Sequence, residues 1–143
     1  MKKKIVIATH GTLAVGYKNT LELISGPQPN VFPICFYDNQ TNSEEELTEQ
    51  FESITDEEQL IILTDIQFGS VNQIILKKIV EKNMPNIFLF SGINLPLVLE
   101  LISMTVPVSS ENIRTMTQQA AEQVKFINYD TLLETQDDNE FFS

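Results

Sequence analysis

Ile5-Val6-Ile7-Ala8-Thr9-His10-Gly11-Thr12 decides how the fold is read. Its apolar, β-branched start predicts a short strand, and Thr9-His10-Gly11 predicts the polar turn that ends it. His10, the chain's sole histidine, then stands at the carboxyl end of a strand. In open α/β sheets ligands and chemistry collect at that end, because loops there line a crevice and the following helices aim their positive N-termini into it. An imidazole in that place suits phosphate or acid–base chemistry. Taken singly, it is also an ordinary hydrogen-bonded turn residue.

Working outward, Ala14 to Ser25 predicts a helix, with apolar Leu13, Tyr17, Leu21 and Ile24 at helical spacing and Gly26-Pro27 as the stop. Val31 to Tyr37 predicts a second strand. Thr41-Asn42-Ser43 offers an N-cap, with Glu46 completing a capping box on Ser43, for a helix to about Ser53. Leu60-Ile61-Ile62-Leu63 is continuously apolar, as in a strand covered on both faces, and ends at Thr64-Asp65. Ser70 is the expected cap of the next helix, which carries Val71, Ile74, Ile75, Ile79 and Val80. Ile87 to Phe90 is a fourth strand, followed by a helix from about Pro96 to Met104 and another, capped by Ser109 or Ser110, through Val124. Four strand–helix alternations predict parallel strands with helices on both faces. Phe126-Ile127-Asn128-Tyr129 reads as a short final strand, which needs a sheet edge to pair with.

The 143 residues fit one domain, expected over 1–133, with a polar tail from Glu134 expected to be disordered over 134–143. No run approaches the roughly 20 apolar residues of a membrane span, and the apolar run after Lys2-Lys3-Lys4 is too short for a secretion signal. A cytoplasmic protein is expected. The net charge of −11 would repel a phosphate backbone, so nucleic acid is not an expected partner. Cys35 is alone within an apolar run, which excludes a disulfide framework or a thiolate metal site.

Three strand ends, Thr9-His10-Gly11, Thr64-Asp65-Ile66 and Ser91-Gly92-Ile93-Asn94, are expected to converge. Asp65 accepting a hydrogen bond from one imidazole nitrogen of His10 would fix the tautomer and leave the other nitrogen's lone pair free to attack. Gly69-Ser70, opening a helix, supplies backbone N–H groups, a hydroxyl and the helix dipole for phosphoryl oxygens. Asp65 and Ser70 acting only as caps of their own loop is the plainer alternative. Nucleotide-binding, zinc-protease and serine-hydrolase motifs are missing, and with one histidine and one cysteine in an apolar run a transition-metal site would have to be almost all carboxylate, a poor donor set for such an ion.

In order and at similar spacing, the strand ending Thr9-His10-Gly11, the strand ending Asp65 with Gly69-Ser70 and Asn72 after it, and Gly92-Ile93-Asn94-Leu95-Pro96 resemble the motifs of the IIA component of the mannose-type sugar phosphotransferase system. The resemblance implies that His10 accepts a phosphoryl group from the carrier HPr and passes it to a separate IIB component. IIB then phosphorylates sugar entering through a membrane permease, a complex to which this chain would be peripheral. It implies that Asp65 holds the imidazole and Ser70 contacts phosphoryl oxygens, with no metal or other cofactor. It also implies a three-layer αβα fold with a four-stranded parallel sheet, and a homodimer in which the C-terminal strand, here Phe126 to Tyr129, is exchanged onto the partner's sheet.

Two positions depart from the pattern: Phe68 stands where a second glycine is common and Val71 where a proline often follows the serine. The chain ends without a IIB domain, so a separate IIA polypeptide is expected. The competing readings are the phosphotransferase subunit that feeds a dihydroxyacetone kinase, and a regulatory module that binds a ligand at the same crevice without chemistry.

Overall fold

The computed structural model describes residues 2–39 and 42–138. In chain order they form β1 (Lys2–His10), α1 (Leu13–Ser25), β2 (Val31–Phe36), α2 (Ser43–Ser53), β3 (Glu58–Thr64), α3 (Ser70–Lys82), β4 (Ile87–Ser91), α4 (Leu95–Ser103), α5 (Ser110–Ala121) and α6 (Tyr129–Asp138). The strands make one parallel sheet in the order β2-β1-β3-β4. Helices cover both faces, which gives the expected three layers. Among the described residues no helix is long and apolar enough to cross a membrane.

Alternation along the strands builds the two interfaces. Ile5, Ile7, Ile61 and Leu63 face one way and pack with Ala14 and Leu21 of α1, Val98 and Leu101 of α4, and Met116 of α5. Val6, Ala8, Leu60 and Ile62 face the other way, against Leu47 and Phe51 of α2 and Val71 and Ile75 of α3. Leu60 to Leu63 are all fully buried, and for that reason the strand reads as continuously apolar rather than alternating.

This strand order has a topological switch point. From β1 the chain moves outward to β2 through α1 on one face; from β3 it moves the opposite way to β4 through α3 on the other face. The two helices diverge and leave a crevice beyond the adjacent carboxyl ends of β1 and β3.

Two expected helix caps are corrected, and two stretches near the C-terminus differ from expectation in the single chain. Asn42, not Ser43, caps α2: its side chain accepts from the Glu45 N–H, while the buried Ser43 hydroxyl donates to the Cys35 carbonyl at 2.7 Å. The expected Ser43–Glu46 box therefore does not form, and Thr41 lies outside the described residues. The cap of α3 is Gly69, with Ser70 as the first helical residue. Residues 126–128 carry no ladder in this single chain, and Tyr129 opens α6, whose start is held by the Asn128 side chain accepting from the Thr131 N–H. A β-branched or aromatic run sets extended propensity, but a strand needs a neighbouring edge to bond to. Residues 134–138 continue α6 where an irregular tail is expected, and 139–143 lie outside the described residues.

Candidate functional site

The β1–β3 register ends at Ala8 opposite Thr64, so β1 overshoots by two residues and His10 comes to lie beside Asp65. Gly11, at φ 61°, turns the chain away and donates its N–H to the Phe36 carbonyl at 2.8 Å, which closes the β1–β2 ladder just past His10. A side chain at Gly11 would strain that turn. The buried Thr9 hydroxyl accepts from the Ala14 N–H at 2.8 Å and anchors the start of α1.

Asp65 grips His10 at two places. Its Oδ2 accepts the His10 backbone N–H at 3.0 Å, and ring Nδ1 lies 3.2 and 3.1 Å from Oδ1 and Oδ2. A carboxylate only accepts, so this contact places the ring proton on Nδ1 and the lone pair on Nε2. The His10 side chain is 36 % exposed and Asp65 only 12 %, so the imidazole is reachable from solvent while its partner is largely enclosed.

On the other side of the ring is the start of α3. A Cβ built on Gly69 would sit 2.9 Å from His10 Cε1 and 3.4 Å from Nε2. This proximity explains why glycine rather than serine occupies the cap: any side chain there collides with the imidazole. Nε2 thus faces the positive end of a thirteen-residue helix, a location that favours anions.

The third loop serves the frame of the site. The Thr64 and Ser91 hydroxyls donate to the buried Asn72 Oδ1 at 3.0 and 2.7 Å, locking the ends of β3 and β4 to α3. The Asn94 side chain caps α4 and donates to the Ala120 carbonyl at 2.7 Å, pinning the end of α5. These residues hold the frame around His10 and Asp65.

Two residues at the site are not signalled by spacing. Tyr37, just after β2, stacks on His10 with ring centroids 5.7 Å apart and planes at 29°, and its hydroxyl lies 2.6 Å from Ser70 Oγ. Tyr17, which the sequence offers only as an apolar position on α1, has its phenol pushed above the usual tyrosine range by burial and, secondarily, by the negative charge of Asp65. An exposed apolar rim, Leu13, Tyr37, Ile66 and Phe68, is contributed by the segments that meet at the site.

Comparison with known proteins adds the following. Residues 4–127 match the family model EIIA-man, PTS system fructose IIA component. Over 140 residues the chain is 24 % identical to the PTS system fructose-specific EIIA component of Bacillus subtilis (strain 168), covering 89 % of this chain and 94 % of that protein. A solved structure from Klebsiella pneumoniae, described as a phosphoenolpyruvate-dependent sugar phosphotransferase system permease, is 30 % identical with a TM-score of 0.78, covering 91 % of this chain and 94 % of that one. The PTS IIA protein associated with the fucose utilization operon of Streptococcus pneumoniae is 26 % identical with a TM-score of 0.74, covering 93 % and 97 %.

Proposed function

The chain belongs to the mannose-type EIIA family of sugar phosphotransferase components, and from that premise we propose that His10 is its phosphoryl acceptor, taking the group from HPr and handing it to a separate IIB component. The observation that carries the proposal is the double contact of Asp65 with His10, which leaves Nε2 as the free nucleophile facing the start of α3.

The step balances without a cofactor. The Nε2 lone pair attacks phosphorus on the phosphohistidine of HPr, the Nε2–P bond forms as the donor N–P bond breaks, and the departing electron pair returns to the donor imidazole. The Nδ1 proton stays in place, and the Asp65 carboxylate stabilises the positive charge that develops on the ring. Ser70 and the N–H groups at the start of α3 hold the phosphoryl oxygens, so positioning and fixed dipoles supply the stabilisation. Transfer to IIB repeats the step in reverse, and sugar uptake through a membrane permease consumes the group. On this reading the protein works in the cytoplasm, at the permease complex.

The same reading includes a homodimer formed by exchange of residues 126–129. Its support is the outer edge of β4, which pairs with no strand among the described residues, beside a cavity of about 380 Å³ lined by Phe88, Phe90, Leu97 and Ile113. Val124 and Phe126 are largely exposed in the single chain, and a partner's β4 edge offers both the ladder and the apolar cover they lack.

The test of the central step is incubation with enzyme I, HPr and labelled phosphoenolpyruvate. Acid-labile, base-stable label on the wild type and none on His10→Ala is the expected result. No label under conditions that charge another IIA protein would leave a binding module of the same fold.

A further inference from the structure

Tyr37 has a backbone φ of 63°, in the left-handed region that bulky residues seldom adopt and that costs free energy to hold. Burial does not explain it, since the side chain is 61 % exposed. What the conformation secures is the pair of contacts already described, the ring over His10 and the hydroxyl against Ser70 Oγ.

We infer that Tyr37 is a phosphoryl-contacting residue whose hydroxyl joins that of Ser70 in holding the group on His10 Nε2; the inference rests on the phosphocarrier reading. Two hydroxyls bonded to each other use one O–H between them and leave the second O–H free to donate. Both sit at the start of α3, whose Gly69 backbone adjoins Nε2. When a phosphoryl group occupies that corner, rotation of the two hydroxyls redirects both hydrogens onto its oxygens without backbone movement. The exchange is favourable because hydrogen bonds to a charged acceptor are about twice as strong as those between neutral groups. The Tyr37 ring, 5.7 Å from the imidazole between centroids, meanwhile keeps its hydroxyl on that side of the site.

The distribution of phosphoryl group between HPr and this protein at equilibrium reads the effect directly. Tyr37→Phe keeps the ring and removes only the hydroxyl. It should shift the equilibrium toward phospho-HPr by about ten-fold or more and shorten the phosphohistidine lifetime, with the melting temperature of the unphosphorylated protein unchanged. Ser70→Ala should act in the same direction, and the double variant should fall short of the product of the two effects. Wild-type behaviour of Tyr37→Phe, with Tyr37→Leu alone impaired, would reduce Tyr37 to a stacking residue and overturn the inference while the phosphocarrier reading stands. A wild type that takes no phosphoryl group would overturn both.

Discussion

The carboxylate of Asp65 holds His10 by backbone and ring together, with Oδ2 3.0 Å from the His10 backbone nitrogen and 3.1 Å from Nδ1. One side chain thereby sets the position of the strand end, the ring orientation and the tautomer. The first two are matters of structure and the third of chemistry, which lets a conservative substitution separate them.

Asp65→Asn keeps an oxygen for the backbone N–H but offers an N–H₂ that can donate to Nδ1. The lone pair then moves to Nδ1, and Nε2 carries the proton. Phosphoryl transfer should slow on the order of 10²- to 10⁴-fold, while thermal stability changes little. Unchanged transfer kinetics in rapid-quench measurements would remove Asp65 from the mechanism.

Gly69→Ala tests the approach of α3 to the imidazole. A Cβ there meets Cε1 at 2.9 Å, so either the ring or the start of the helix has to shift. Because the ring is partly open to solvent it can yield, and the loss should appear in the phosphorylation rate more than in the unfolding midpoint. A variant that transfers at the wild-type rate would show that Nε2 does not work against this helix start.

Tyr17 reports on the charge of Asp65. Its phenol is raised first by burial and second by that carboxylate. In Asp65→Asn the alkaline absorbance titration of Tyr17 should therefore move down, toward but not reaching the ordinary value of about 10. Because the folded value lies above the unfolded one, Tyr17 contributes stability that is present below the unfolded value and lost as pH rises through the folded one. Tyr17→Phe should accordingly flatten the alkaline limb of the stability curve. An unmoved midpoint in Asp65→Asn would place Tyr17 beyond the influence of the site.

The dimer proposal is tested by ending the chain at Gln123. Size-exclusion chromatography with light scattering should show a dimer for the full chain and a monomer for the truncated one. A truncated chain that still forms a stable dimer would rule out strand exchange as its basis.

The sheet was legible because its signals are local. Leu60 to Leu63, buried on both faces, cannot be written in any but apolar residues, and the polar residues after β1 and β3 mark where the sheet opens. The His10–Asp65 pairing followed once those strands were placed side by side. Helix caps were less legible: Ser70 is a good cap by type, but the cap is Gly69, where an imidazole from far earlier in the chain leaves little room for a side chain. Tyr37 was hidden for the same reason: nothing at the end of β2 announces that its ring will lie on His10. The run Phe126 to Tyr129 shows the limit of propensity: its residues favour an extended chain, yet residues 126–128 lie in no strand and Tyr129 opens α6.

Phosphorus NMR of the phosphorylated protein distinguishes the two ring nitrogens and so tests the central claim most directly. With Nδ1 engaged by Asp65 and Nε2 turned to the start of α3, a single resonance of Nε2-phosphohistidine is predicted, absent from His10→Ala. A resonance of Nδ1-phosphohistidine, or a phosphoryl group that persists without His10, would contradict it.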